Sequence, residues 1–285
     1  MKILVLSDEE CPALWDYYVP GRLAEYQLII SCGDLKASYL SFLVTMARCP
    51  VLYVPGNHDT RYDQEPPEGC DNIDGKVVEF NGLRIAGLGG CRKYHDGPNQ
   101  YTEREMRGRI RKLFWPLYKA GGLDILVTHA PAEGLGDSED RAHLGFAALR
   151  EFLNKYAPGY HFHGHVHMNY GTGNQRVITY NSTTIVNAYE RYVISIPDRP
   201  VPEKKKNRLI WISEPPRYDC AIALSWERVA GRSPDGSGAV WSPTRYHPSS
   251  GPGGPPSPRG RQRRKDFLCL QVSPRRPLIF SGAFA

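Results

Sequence analysis

The sequence predicts an α/β fold, and three observations carry that prediction. Short apolar runs alternate with helix-like stretches at the start of the chain, an order typical of parallel strands joined by crossover helices. These runs are Lys2 to Leu6, Gln27 to Ser31 and Val51 to Val54. Further along, Asn81-Gly82 joins two more apolar runs, and Asn-Gly accepts the positive φ angles of a type I′ hairpin turn. The fold is therefore expected to combine parallel strands with an antiparallel element.

Four helices are predicted among these strands. The first begins at Pro12, the second spans about Lys36 to Ala47, and the fourth covers Phe146 to Tyr156. The third begins with a capping box of Thr102 and Glu105 and is kinked or ended by Pro116. Its basic residues are expected to face solvent, with a phosphate-facing role for one of them as the alternative: Arg104, Arg107, Arg109, Arg111 and Lys112.

The folded unit is expected to end near residue 196. Three runs are predicted to close a second sheet: Val177 to Tyr180, Thr183 to Ala188 and Tyr192 to Ile196. Residues 197–285 contain 14 Pro and 8 Gly, a composition that does not support a core. This segment is predicted to be a disordered extension, and three apolar islands in it are interpreted as isolated: Leu209 to Ile212, Ala221 to Trp226 and Phe267 to Val272.

The net charge of +6 is unevenly distributed along the chain. Residues 1–196 hold 20 basic and 23 acidic residues, a net charge of −3, whereas residues 197–285 hold 16 and 7, a net charge of +9. The excess of basic residues lies in residues 197–285 and therefore does not indicate what residues 1–196 bind. Nucleic acid is not an expected partner of residues 1–196, while an anionic partner of the extension is an alternative to simple disorder.

Composition also bears on the compartment. No apolar run reaches the roughly 20 residues that span a bilayer, and the first residues resemble a buried strand rather than a signal peptide. The seven cysteines are scattered and contain no C-x-x-C, which argues against a disulfide framework and a zinc ribbon. The sequence therefore predicts a cytoplasmic protein without membrane contact, and the oligomeric state is left open.

Five apolar runs end in side chains that can bind a metal ion. These residues are Asp8, Asp34, Asn57, His129 and the pair His165 and His167. Strand ends of an α/β sheet converge on one crevice, where ligands bind. Carboxylate, amide and imidazole donors without cysteine suit Mn²⁺, Fe or Zn²⁺. Gly56 is expected to let the backbone turn sharply before Asn57, and the acidic stretch 133–143 is long enough for a lid or pocket wall.

The order of these motifs resembles the calcineurin-like metallophosphoesterase superfamily over about residues 1–196. The resemblance rests on Asp8, Gly33-Asp34, Gly56-Asn57-His58-Asp59, His129 and Gly164-His165-Val166-His167. It implies a four-layer α/β/β/α sandwich of two mixed sheets, with two divalent metal ions between them. Mn²⁺ is favoured for these ions, with Fe, Zn²⁺ and Mg²⁺ as alternatives.

The resemblance also implies roles for individual residues. Asp34 would bridge both metal ions. Asp8 and His167 would complete the first metal site. The second metal site would be completed by Asn57, His129 and His165. His58 would hydrogen-bond the phosphate or protonate the leaving oxygen, with Asp59 orienting it.

One position departs from the pattern of the family. Glu10 stands where the first motif, Asp-x-His, usually has its histidine. A carboxylate from Glu10 or Glu9 is therefore expected to complete the first metal site, and weak occupancy of that site is the alternative.

The motifs together predict hydrolysis of a small phosphomonoester or phosphodiester. Two nearby cations can share a water, lower its pKa and withdraw charge from the phosphoryl oxygens, so no protein nucleophile is required. Two rivals stay open: a non-catalytic scaffold on the same fold, as in the retromer subunit, and a nucleic-acid phosphodiesterase. Glu10 favours the first rival, and the basic extension favours the second.

Overall fold

Two mixed β-sheets form the centre of the computed structural model, which describes residues 1–168, 175–201 and 203–212. The strands are β1 (Lys2–Leu6), β2 (Leu28–Ser31), β3 (Val51–Tyr53), β4 (Asp71–Asn72), β5 (Val77–Phe80), β6 (Leu83–Leu88), β7 (Cys91–Arg92), β8 (Gln100–Tyr101), β9 (Ile125–Thr128), β10 (Tyr160–His163), β11 (Val177–Tyr180), β12 (Thr183–Asn187), β13 (Tyr192–Ser195) and β14 (Leu209–Trp211). The α-helices are α1 (Ala37–Met46), α2 (Glu103–Lys112), α3 (Phe114–Ala120) and α4 (Ala147–Tyr156).

Both sheets contain parallel and antiparallel neighbours. The first has the order β13-β1-β2-β3-β4, in which only the β13 pairing is antiparallel. The second has the order β11-β12-β10-β9-β6-β5-β14, with a parallel centre and antiparallel pairings towards both edges. In the parallel part of each sheet, the carboxyl ends of the strands lie at one edge.

Three buried clusters show that the layers are stacked as α/β/β/α. Along β1, Ile3 and Val5 pack between the two sheets, whereas Leu4 and Leu6 pack on the opposite side with residues of α1. Side chains of α2, α3 and α4 cover the outer face of the second sheet. Successive residues of β1 are buried on both faces because a strand alternates its side chains across the sheet. The predicted four-layer sandwich is confirmed.

Local sequence signals account for several element boundaries. Asn81 and Gly82 have φ angles of 47° and 74°, which confirms the hairpin turn between β5 and β6. Thr102 and Glu105 form the predicted capping box of α2. The predicted third helix is divided at Leu113, and Pro116 lies in the first turn of α3, where a proline removes no helical hydrogen bond.

Three sequence predictions about single elements are wrong. The helix expected from Pro12 is only a 3₁₀ turn, Pro12–Leu14, followed by turns. The strand β13 pairs with β1 in the first sheet rather than closing the second. Arg109 does not face solvent, because its guanidinium pairs with Asp74, donates to the Gly89 carbonyl and lies over the Tyr101 ring.

The folded unit extends beyond the boundary predicted at residue 196. Leu209 to Trp211 is not an isolated island, because it forms the edge strand β14, pairing antiparallel with β5 from Leu209 opposite Phe80. Leu209 also packs against the core between the sheets. The expected disorder of residues 213–285 lies outside the described residues, as do the other two islands.

Helix length bears on one further expectation. Across the described ranges no helix is long and apolar enough to cross a membrane. The longest α-helices there have ten residues, about half of what a bilayer requires.

A truncation series tests the revised boundary. We expect a chain ending at residue 212 to keep the thermal stability of the full chain, whereas a chain ending at residue 196 loses β14 and its packing. Leu209 is partly buried, and loss of the whole strand with its pairing to β5 should cost about 2 kcal/mol or more, the lower end of the range for one fully buried leucine. At about 2 °C per kcal/mol or more, the shorter chain should melt at least about 4 °C lower in differential scanning calorimetry. Equal melting temperatures would show that β14 contributes nothing to stability.

Candidate metal centre

The predicted ligands come from both sheets and meet at one end of the sandwich. Asp8, Asp34 and Asn57 follow β1, β2 and β3 of the first sheet, while His129 and His165 follow β9 and β10 of the second. The sequence predicts that the candidate ligands lie together at the edge of one sheet. In the structure they come from the edges of two sheets, which lie next to each other. All of these side chains are largely buried.

The Asp34 carboxylate joins the candidate ligands of the two sheets. Its Oδ2 lies 3.2 Å from Nε2 of His129, and its Oδ1 accepts a 2.8 Å hydrogen bond from the backbone N–H of His58. Burial opposes the charge on Asp34, but the neighbouring His129 outweighs it and lowers the pKa of the carboxyl to about 2. Burial likewise opposes a charged His129, and Asp34 raises the pKa of that imidazole to about 9. A metal ion bound here would therefore have to displace a proton.

His129 is oriented by contacts on both ring nitrogens. Nδ1 donates to the backbone carbonyl of Cys32 at 2.8 Å, which turns Nε2 towards Asp34 and towards Oδ1 of Asn57 at 3.0 Å. A backbone acceptor on the far nitrogen is the usual way a protein orients a histidine ligand. Nε2 is thus the atom of His129 that faces the cluster.

His165 completes a group of three ligand atoms. One ligand atom each from Asp34, His129 and His165 lie within 4.8 Å of one another. Burial lowers the pKa of His165 to about 3, so the ring is neutral at pH 7. Its Nε2 donates to the carbonyl of Ala142 at 2.8 Å, which leaves the lone pair on Nδ1. One carboxylate and two imidazoles fit a divalent transition metal.

Asp8 and His167 form a second, looser group beside the first. Oδ1 of Asp8 lies 3.9 Å from Nε2 of His167, and the carboxylate accepts the backbone N–H of His165 at 3.0 Å. Burial raises the pKa of Asp8. The side chain of His167 is 52% exposed and its ring packs on that of Tyr189. The predicted pair is brought together at the margin of the cluster.

Glu10 and Glu9 lie at the rim of the cluster, where each contacts another side chain. The carboxylate of Glu10 accepts the backbone N–H of Lys36 at 3.2 Å and pairs with the Lys36 ammonium at 3.3 Å. Glu9 accepts a hydrogen bond from the Tyr189 hydroxyl. Both carboxylates therefore have partners at the rim of the cluster, and completion of the first metal site by either of them stays a prediction.

His58 and Asp59 have different environments. The side chain of His58 is 77% exposed, and its Nε2 lies 4.0 Å from Oδ2 of Asp34. Asp59 is buried, and its Oδ2 accepts the backbone N–H groups of Asp34 at 2.8 Å and Gly56 at 2.7 Å. Within the described residues no side-chain hydrogen bond joins Asp59 to His58. Asp59 ties together the two loops that carry Asp34 and Asn57, and its expected role in orienting His58 stays a prediction.

Glycine is required at this centre for close approach. A Cβ on Gly56 would lie 2.0 Å from Oδ1 of Asp34, and a Cβ on Gly164 would lie 1.8 Å from Oγ of Ser7. Gly56 is not among the residues with positive φ, so the expected sharp turn is not what requires it. It is needed because the carboxylate of Asp34 occupies the space of a side chain.

Two further residues lie at the centre, although no sequence motif indicates them. The hydroxyl of Tyr94 lies 3.4 Å from Nδ2 of Asn57. His143, in the predicted pocket wall, packs its ring 5.0 Å from that of His165 and holds its Nδ1 2.9 Å from Asp140. The length and acidity of the 133–143 loop predict a wall, but they do not indicate which of its residues reaches the centre.

A pair of glycine substitutions tests the close approach. Gly56→Ala should displace the Asp34 carboxylate, lower the melting temperature by several degrees and reduce bound Mn²⁺ measured by equilibrium dialysis. Gly108→Ala is the matched control, because a Cβ there meets nothing within 4 Å and alanine favours a helix. Equal behaviour of the two variants would contradict the packing argument.

Several curated proteins are similar in sequence to this chain. Among curated proteins, a lariat debranching enzyme of Drosophila pseudoobscura pseudoobscura is 30% identical over 196 residues, covering 49% of this chain and 36% of that protein. The chain thus spans little more than a third of the length of the debranching enzymes it matches. A UPF0046 protein of Caenorhabditis elegans is 25% identical over 223 residues, covering 66% of this chain and 69% of that protein.

The fold and the family follow from two further findings. One solved structure covers 74% of this chain and 99% of its own, with a TM-score of 0.53 and 14% identity, a likeness that concerns the fold alone. The family described as calcineurin-like phosphoesterase matches residues 1–169. This match covers more than half of the sequence and includes every candidate ligand, and the chain belongs to the calcineurin-like phosphoesterase family.

Proposed function

We propose that this protein is a metal-dependent phosphoesterase that hydrolyses a phosphomonoester or phosphodiester of a small molecule. The observation that carries the proposal is the cluster of ligand atoms from Asp34, His129 and His165 within 4.8 Å. Membership of the phosphoesterase family supports the same reaction. A cytoplasmic location belongs to the same proposal.

Two divalent metal ions are part of the proposal, with Mn²⁺ favoured and Fe, Zn²⁺ and Mg²⁺ as alternatives. Asp34, Asn57, His129 and His165 would hold one ion. Asp8, His167 and a carboxylate from Glu10 or Glu9 would hold the other with Asp34, and weak occupancy of this second site is the alternative. When bound, such ions lower the pKa of a water and withdraw charge from the phosphoryl oxygens. The donor set of oxygen and imidazole nitrogen fits them.

His58 is proposed to act on the leaving group. Its backbone is fixed by the bond from its N–H to Asp34, while its imidazole lies on the open side of the cluster. An imidazole there is placed to donate a proton to the leaving oxygen or to hydrogen-bond the phosphate. The buried Asp59 holds the loops on which Asp34 and Asn57 lie, and it is proposed to orient His58, which follows Asn57 on the second of these loops.

Two alternative functions, a non-catalytic scaffold and a nucleic-acid phosphodiesterase, predict different results. A non-catalytic scaffold would bind metal without turnover. A nucleic-acid phosphodiesterase is supported by the likeness to a protein named lariat debranching enzyme, although residues 1–196 carry a net charge of −3. A substrate panel should therefore include lariat RNA beside small monoesters and diesters.

Metal dependence is the first test. We expect Mn²⁺ to support hydrolysis of an aryl phosphate or diester, and chelation by EDTA to abolish it. Asp34→Asn should lower the rate at least about 100-fold and reduce bound metal measured by atomic absorption, because it removes the proposed bridging charge. Asp16→Asn, an exposed position with the same chemical change, is the control. Metal binding without cleavage of any ester in the panel would favour the scaffold.

A second test separates His58 from the ligands. His58→Ala should lower turnover by about 10² to 10⁴ while metal content stays unchanged, because general acid assistance is lost. The loss should be smaller for 4-nitrophenyl phosphate than for phenyl phosphate, since the first leaving group needs less protonation. His165→Ala should lower metal content together with rate. Loss of metal in His58→Ala would contradict the assigned role.

A further inference from the structure

A basic cleft lies beside the metal centre. It has a volume of about 520 Å³. Its walls hold three basic side chains, Arg92, Lys93 and Arg141, and two acidic ones, Asp96 and Glu103, together with Tyr94, His95 and Thr102. None of these residues belongs to the motifs of the candidate centre, so the proposed reaction leaves the cleft unexplained.

Two contacts connect the basic cleft to the metal centre. On one side, the Tyr94 hydroxyl lies 3.4 Å from the amide of Asn57, a proposed ligand. On the other side, Arg141 immediately precedes Ala142, whose carbonyl accepts the hydrogen bond from His165. A molecule held at the metal centre therefore has the basic cleft as a neighbour.

The charges of the cleft leave two cations without an acidic partner. Two carboxylates also line the cleft: Asp96 pairs with the Lys93 ammonium at 2.7 Å, and Oε1 of Glu103 accepts the backbone N–H of Ala148 and lies 3.8 Å from Arg107. Oε2 of Glu103 is buried and has no hydrogen-bond partner within the described part of the chain. Arg92 donates to the carbonyl of Gly145 at 3.4 Å, and Arg141 is exposed; among the described residues, neither guanidinium forms an ion pair with a carboxylate. Arg92 and Arg141 therefore present unneutralised guanidinium groups, which bind carboxylate or phosphate in a bidentate manner.

The remaining wall is aromatic. The rings of Tyr94 and His95 stack with centroids 4.4 Å apart. Tyr94 is half-buried, whereas His95 and Arg141 are exposed, so the cleft is open to solvent on one side. Such a wall accepts a flat or apolar linking group between two anionic ends.

We propose that the basic cleft binds a second anionic group on the leaving group of the substrate. The substrate class is then a small phosphoester whose leaving group carries a carboxylate or a further phosphate. The phosphoryl group lies at the metal centre, and Arg92 and Arg141 hold the other anion. This inference rests on the proposed function and narrows its substrate.

A matched pair of substrates tests the cleft. 4-Carboxyphenyl phosphate and 4-carbamoylphenyl phosphate have nearly the same shape and differ by one negative charge. We expect the full chain with Mn²⁺ to favour the carboxylate at least about tenfold in kcat/KM, as for one charge-assisted contact. 1,4-Phenylene bisphosphate shows whether a phosphate serves better than a carboxylate, and preference for either anion over the amide supports the proposal.

Variants assign the preference to the cleft. Arg141→Ala should reduce the ratio of the two kcat/KM values to about 1 to 3, whereas Arg104→Ala, an exposed arginine on α2, should leave the ratio unchanged. A ratio near 1 in the unmodified chain, or the same loss in both variants, would overturn the proposal.

A binding measurement distinguishes the cleft proposal from the phosphoesterase proposal if no substrate is hydrolysed. The unreactive probes are 4-phosphonobenzoic acid and its carboxamide, measured by isothermal titration calorimetry with Mn²⁺ present. Tighter binding of the carboxylate, lost in Arg141→Ala, would support the cleft even where failure of hydrolysis refutes the phosphoesterase. Hydrolysis without any preference for the second anion would refute the cleft alone.

Discussion

The contact between Asp34 and His129 is the constraint on which the metal centre depends. Asp34 extends from the first sheet and His129 from the second, and they meet at 3.2 Å in a buried position. His129 is also bonded through Nδ1 to the carbonyl of Cys32, so both of its nitrogens reach across the interface. Any sliding of one sheet over the other would break both contacts. The position of the centre is thus coupled to the packing of the whole sandwich.

Backbone conformation at the strand ends turns the ligands towards this contact. Asp8, Asp34 and His165 have φ angles of 66°, 57° and 69°, in the left-handed region. Asp and His enter this region more readily than β-branched residues, so the residue types used as ligands also suit the turn. Strain of this kind persists where the surroundings fix it, here by the backbone bonds to Asp8, Asp34 and Asp59. The same residue types therefore suit both the candidate metal site and the backbone conformation of the loops that carry it.

Much of the fold is predictable because its signals are local. Apolar runs, the Asn81-Gly82 turn and the Thr102 cap each act within a few residues, and the structure confirms them. The pairing of β13 with β1 and of β14 with β5 joins segments more than 120 residues apart, and no local pattern specifies such partners. The same limit applies at the centre. Motifs indicate which residues are candidates, whereas the roles of Glu10 and Asp59 depend on neighbours distant in sequence.

The two halves of the centre differ in how firmly their residues are held. Asp34, His129 and His165 are buried and have further hydrogen bonds that fix their orientation. His167 is half exposed, and Glu10, which stands at the position of an expected ligand, is paired with Lys36. A preorganised set of donors binds metal more tightly, because less ordering is needed on binding. If two ions bind, as proposed, the half formed by Asp34, Asn57, His129 and His165 should fill first, and the half formed by Asp8 and His167 should need the higher metal concentration.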